Sequence, residues 1–190
     1  MRVIRTIIFL LVVVGLIWLI VLLFSKVFTS GNQTSSVQTT NLSTYARLGT
    51  SATYTVQGPI VVDQDHRSIR ISVTSSESTI ELISGYNNTV INEQAFENTQ
   101  AGYSAFLKGL DTLGFSDGNS QMNSDEQGQC PLRSRYTYQL TDNGKQIFKF
   151  WSTDCGTGSF KGSRASVKTL FERQVPRTVY SEFYRGLTHP

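Results

Sequence analysis

The chain has 190 residues, about one domain's worth. A charged share of 16%, with eleven Phe and eight Tyr, excludes a solvated disordered chain and is enough to build a core. A net charge of +3 excludes a wholesale nucleic-acid binder. Two Cys and two His leave almost no room for a Cys/His zinc site, an iron–sulfur cluster or a haem-attachment motif, so no cofactor or metal is expected.

The N-terminus carries the strongest signal. Ile7 to Phe24 is an unbroken run of apolar or Gly residues, and residues 6–25 carry no charge. At about 1.5 Å per residue such a helix crosses a hydrocarbon core of about 30 Å. Arg2 and Arg5 precede the run and Lys26 alone follows it closely. The positive-inside rule then keeps the N-terminus in the cytoplasm and puts residues 26–190 outside. The expectation is a single-pass signal-anchor over residues 1–28, set in the cytoplasmic membrane and touching the lipid bilayer through residues 6–25. A cleaved signal peptide competes with it, but apolar regions of that kind usually run about 7–15 residues. The positions Phe28/Ser30 and Leu23/Ser25 also make poor cleavage sites.

Residues 29–52 are rich in Ser, Thr, Asn and Gln without an apolar period. They read as a flexible tether with a reach of about 25–30 Å, followed by an extracytoplasmic domain over residues 53–190. Alternation then begins. Ile69, Ile71 and Val73 interleave with Arg70 and Ser72, and Ile80 and Leu82 flank Glu81. Gly85-Tyr86-Asn87-Asn88 turns the chain into a further extended run from Thr89 to Asn92. This predicts a three-stranded meander, with Tyr54 to Val62 offering a fourth strand. Asn98 is a candidate cap for a helix whose Tyr103, Phe106, Leu107, Leu110 and Leu113 make one apolar stripe, ended by Gly114. Gly102 and Gly109 within it could mark a close helix–sheet contact. The polar stretch from Ser116 to Gln129 reads as a solvated or partner-contacting loop. It fails the calcium-loop pattern, having Met122 and Gly128 where Gly and Glu are required.

Cys130 to Gly156 reads as a hairpin turning at Asp142-Asn143-Gly144. A two-residue turn pairs Tyr138 with Lys149. A three-residue turn pairs Tyr138 with Phe148 and Tyr136 with Phe150, segregates apolar from polar faces better, and is the register expected. Trp151 then shares the opposite face with Arg135. Cys130 and Cys155 meet across the open end, which predicts a disulfide in an oxidising compartment. The glycine-rich GTGSFKG after it lacks the P-loop pattern. Ser163 then starts a short helix with Val167, Leu170 and Phe171 inward, ended by Pro176. Val179, Phe183 and Leu187 pack once more before a loose tail.

The chemistry-bearing residues are sparse. His66 beside Asp63 and Asp65 reads as a solvated strand start rather than a metal ligand, and Glu81 with Glu93 is a carboxylate pair that nothing in the spacing singles out. Charge is more informative. Residues 63–126 hold ten acids against three bases, a net −7, and residues 127–190 hold ten bases against four acids, a net +6. Either the halves attract within one fold, or Lys161, Arg164 and Lys168, on one side of a helix, form a face for an anionic partner.

The segments STIELISGYNNTVINEQAFENTQAGYSAFLKGLDTLGF, CPLRSRYTYQL…FWSTDCG and VKTLFERQVP resemble uncharacterised small membrane-anchored envelope proteins of candidate-phylum bacteria such as the Saccharibacteria, over about residues 68–176. The resemblance implies a bacterial cell envelope and no mechanism. The expected fold is α+β: an antiparallel sheet of meander plus disulfide-closed hairpin, two helices on one face, in the order β-β-β-α-β-β-α. The expected function is an extracytoplasmic interaction domain for an envelope protein or anionic polymer, with no intracellular nucleic acid. It expects an exposed patch or groove without titratable groups converging around His66. The alternatives are a carboxylate-dependent envelope hydrolase and an accessory subunit of an envelope or secretion complex.

Overall fold

The alternating pattern begins further upstream than the composition suggested. A computed structural model of the chain describes residues 41–119 and 125–188. The membrane segment, the first part of the tether and His189 lie outside them. Among the described residues no helix is long and apolar enough to cross a membrane.

Six strands form one antiparallel sheet: β1 (Thr50–Gln57), β2 (Arg67–Val73), β3 (Glu77–Ser84), β4 (Thr89–Glu97), β5 (Arg135–Asp142) and β6 (Lys145–Thr153), in the spatial order β4-β3-β2-β1-β5-β6. Among the described residues three helices accompany it: α1 (Gln100–Thr112), α2 (Arg164–Glu172) and α3 (Arg177–Thr188). The α+β class and the antiparallel sheet are as expected; the fourth strand offered at Tyr54 to Val62 forms earlier, over Thr50–Gln57, and the third helix is not part of the two-helix order read from the sequence. Phe183 and Leu187 of α3 are buried, so this segment packs as its spacing predicts, and it does so as a helix that runs to Thr188. Gly186 makes this docking close, since a Cβ there would sit 2.6 Å from a methyl of Leu82.

Residues 41–52, assigned to the tether above, belong to the domain. A 3-10 turn over Leu42–Tyr45 is capped by the Asn41 side chain, and Leu42 is fully buried. Its amide donates to Asp111 Oδ1 of α1 at 3.3 Å, and Gln100 Nε2 donates to the Ala46 carbonyl. β1 follows as a central strand with Ala52, Tyr54 and Val56 facing inward. Thr, Ser and Tyr suit a strand as well as they suit a linker, so composition misreads this stretch. Leu42→Ala is expected to cost about 2 kcal/mol in urea unfolding, the low end for Leu truncation because the turn can partly collapse.

The core lies between one sheet face and the helices. Tyr54, Ile71, Ile80 and Tyr138 from the sheet meet Tyr103, Phe106 and Leu110 of α1 and Val167 and Phe171 of α2. Thr99, not Asn98, caps α1, accepting from the Gly102 amide at 3.0 Å; Asn98 instead donates to the Thr74 carbonyl. Gly109 marks a helix–helix approach, because a Cβ there would meet Leu170 of α2 at 3.1 Å.

The β5–β6 hairpin turns through Asn143 and Gly144, both at positive φ (49° and 78°), the two-residue turn that fits the sheet twist. A bulge after Leu140 then shifts the register, so that Tyr138 pairs with Phe150 and Leu140 with Phe148. The two-residue register thus holds at the turn, where Asp142 pairs with Lys145 and Thr141 with Gln146, and beyond the bulge neither expected register is adopted. The difference from the favoured one is two residues, which returns each side chain to its own face. Tyr136, Tyr138 and Leu140 therefore still share the core face with Phe148 and Phe150, and Arg135 and Thr137 still share the other with Trp151. The Cys130–Cys155 disulfide closes the open end.

Candidate functional site: a polar groove on the helix-free face

The second face of the sheet carries Thr53, Thr55 and Gln57 from β1, Ser68 and Arg70 from β2, and Arg135, Thr137 and Gln139 from β5. These are the residues that alternate with the core positions in the strand registers. The helices pack on the opposite face, so this one is roofed at its margins by loops. Between the 84–88 turn and the 126–128 loop it forms a groove of about 780 Å³.

One wall is built from two tied loops. A 3-10 turn over Asp63–Asp65 leads into His66, and Asp63 Oδ1 accepts from the Tyr86 amide of the β3–β4 turn at 2.7 Å. The Gly85 amide donates to the His66 carbonyl at 3.0 Å, and Tyr86 Oη donates to the Val61 carbonyl at 2.9 Å. These bonds lay the Tyr86 ring on the His66 imidazole, 4.1 Å between centroids and 25° between planes. Asp63 thus has a structural use, and among the described residues no three of His, Cys, Asp and Glu gather as a metal ion requires.

His66 is 3% exposed, which overturns its reading as a solvated strand start. Its Nε2 lies 3.3 Å from Arg135 Nη2. A guanidinium only donates, so Nε2 must accept and the ring proton sits on Nδ1. Nδ1 lies near the Gly85 backbone without completing a hydrogen bond of ordinary geometry. Burial holds the imidazole below the ordinary histidine range, and the Arg135 and Arg67 cations push the same way. The Gly85 backbone and Asp63 oppose them. The unfolded chain therefore binds the proton first, and His66 withdraws stability as pH falls from about 6.5. His66→Gln, whose amide oxygen can accept from Arg135, is expected to flatten the pH dependence of urea stability between about pH 6.5 and 5. An unchanged slope refutes this.

Arg135 forms the floor. It is 2% exposed, opposite Gln57 across the β1–β5 ladder. Its two hydrogen bonds both leave from Nη2, to His66 and to the Gly58 carbonyl at 3.0 Å. Among the described residues its buried Nε has no partner and no carboxylate pairs with Arg135 within 4.0 Å. Burial lowers its affinity for the proton, which nearby Tyr86 and Glu126 partly restore.

The other wall is Glu126, 5% exposed although it lies in the stretch read as a solvated loop. Its Oε1 accepts from Lys149 Nζ at 3.1 Å and from Gln57 Nε2 at 3.2 Å, and its buried Oε2 has no partner among the described residues. Arg70 is already committed, with Nη1 3.2 Å from Glu81. The groove therefore gathers titratable groups around His66, which the interaction-domain reading did not expect. A hydrolase reading needs two carboxylates, and among the described residues Glu126 alone lines it. Glu81 and Glu93 do face each other across β3 and β4, with Glu81 tied to Arg70.

The basic residues singled out from the sequence do not share one helix side. Lys161 precedes α2, and its amide donates to the Asp117 carbonyl. Arg164, the first residue of α2, donates to the Thr153 carbonyl at 2.6 Å, lies 3.6 Å from Asp154 and sits over the Tyr136 ring. Lys168 pairs with Glu172 at 3.7 Å. Arg164 is thereby tied to the sheet end while its side chain stays 44% exposed.

Sequence reasoning passed over Arg135 and Glu126 as site residues. One signal for them was present. Trp151 on a polar sheet face requires cover, and the cover must come from loops that can also enclose a groove. Compared with family models, curated proteins and solved structures, the chain matches none.

Proposed function

We propose that this chain is a single-pass protein of a bacterial cell envelope that holds a ligand-binding domain outside the cytoplasmic membrane. In this reading the groove on the helix-free sheet face is the binding surface. The observation that carries it is the groove itself: about 780 Å³, lined by polar side chains and walled by two loops that rigid strands position. Loops on a rigid sheet are where binding residues concentrate. The uncharged run over residues 6–25, preceded by Arg2 and Arg5, supports the membrane placement, and the disulfide fits an oxidising compartment.

Two measurements test this. In right-side-out spheroplasts, added protease should degrade the C-terminal domain while an N-terminal tag stays protected; the reverse pattern refutes the topology. Native mass spectrometry of the full chain in neutral detergent, mixed with soluble envelope fragments, should show a retained ligand. Thr55→Trp fills the groove from β1 and should reduce retention at least tenfold without changing urea stability. Equal retention would move the binding surface elsewhere.

A further inference from the structure

We propose that the groove takes an oxyanion, a carboxylate or a phosphate, carried on a hydroxyl-bearing molecule, with Arg135 as its counter-charge. The inference rests on the groove being the binding surface. It begins with a deficit: a guanidinium 2% exposed, with Nε unpartnered, no ion pair within 4.0 Å among the described residues, and two neutral acceptors on a single nitrogen. Burying a charge is costly unless it is paired, and a groove-bound anion supplies the missing partner.

Glu126 does not fill that role, because its Oε1 is shared between Lys149 and Gln57. With Arg70 balanced by Glu81, the remaining lining charges are Arg135 and Lys149 against Glu126, a net positive groove. An anion is attracted and a divalent cation is not. The unpartnered Oε2 of Glu126 is an acceptor in want of a donor, which a hydroxyl on the same ligand provides. Thr53, Thr55 and Gln139 line the intervening floor with groups that both donate and accept. Tyr86, 46% exposed above His66, leaves ring surface at the wall for the apolar face of a sugar-like ring.

His66 sets the geometry. By accepting on Nε2 it fixes the orientation of Nη2, so the remaining donors of the fork are aimed before ligand arrives. A protonated ring would have no acceptor to offer and would release that orientation.

The test is calorimetry on the full chain in neutral detergent at low salt, with D-glucuronate, glycerol phosphate and neutral N-acetylglucosamine as probes. At least one anion should saturate with a Kd on the order of a millimolar or tighter, weakening with salt, and the neutral sugar should bind at least tenfold more weakly. Glucuronate alone binding identifies the carboxylate source, glycerol phosphate alone the phosphate source. Arg135→Gln should reduce anion affinity at least tenfold. If that variant fails to fold, Lys149→Gln, at the half-exposed rim, should reduce affinity about two- to fivefold and flatten its salt dependence. Anion affinity unchanged in a folded Arg135→Gln or in Lys149→Gln overturns the proposal. Equal binding of the neutral sugar overturns it while leaving the groove as the binding surface. No binding by any probe overturns it and leaves the Thr55→Trp experiment to decide the groove separately.

Discussion

Phe171→Ala is expected to destabilise the domain by about 4 kcal/mol, the largest loss from any single truncation considered. Phe171 is fully buried on α2 and joins three elements. Its ring lies 5.5 Å from Tyr54 of the central strand, 5.1 Å edge-on from Phe106 of α1, and 5.5 Å from Phe115 in the following loop. Truncation removes the transfer energy of the ring and leaves a void that close-packed aromatics cannot fill without breaking their own contacts. Phe171→Leu, which keeps most of the volume, should lose about half as much or less. Urea unfolding at neutral pH checks both; a loss below about 2 kcal/mol for the Ala variant would mean that the site collapses onto itself.

Removing the disulfide is the second large effect. Cys130 and Cys155 are separated by 25 residues, and closing a loop of that size stabilises by about 3–4 kcal/mol in the chain-entropy picture. The Cys130→Ser/Cys155→Ser variant, which frees that loop in the unfolded chain, should therefore lose about 3 kcal/mol. Reductant should lower wild-type stability by the same amount and leave the double variant unchanged. The loss should also reach the groove. Glu126 stands four residues before Cys130, and Pro131 accepts the Ile60 amide at 2.7 Å beside the His66 wall. Anion binding should therefore weaken on reduction even below the unfolding transition.

Where local pattern and tertiary structure agree, the sequence was readable. Ile69, Ile71 and Val73 alternate because β2 has one wet face, and the stripe from Tyr103 to Leu110 is helical because α1 covers the sheet. The pairing of Cys130 with Cys155 survived a register that differs from the expected one, because both bound the same hairpin. Three things were not readable, each for a physical reason. A two-residue slip leaves every side chain on its face, so face segregation could not detect the bulge after Leu140. The opening of β1 looks like linker because Thr and Ser serve both, and what makes it a strand is pairing with Val73 on one side and Asp142 on the other. The site was least visible, since His66, Glu126 and Arg135 come from three separated segments and meet only when β1 and β5 align. In α3, Val179, Phe183 and Leu187 at four-residue spacing gave the packing of this segment, and Phe183 and Leu187 are buried as that spacing predicts; what was not read from it is the full helix over Arg177–Thr188.

The central position of β1 also decides the order in which the molecule can assemble. β1, β2, β3 and β4 follow one another and can pair through short connections as soon as they are made. The other edge of β1 waits for β5, whose first paired residue lies beyond the whole of α1 and the long loop after it. All eight residues of β1 pair with β5 in the finished sheet. During synthesis the same eight residues present unpaired backbone groups and the apolar side chains of Ala52, Tyr54 and Val56. Such an edge templates association with another chain until it is covered. Refolding should therefore show fast formation of the meander and a slower step in which the hairpin docks, set by the long loop that must close. Chains halted before Arg135 should aggregate through β1, and high protein concentration should compete with that docking step while leaving the completed domain untouched.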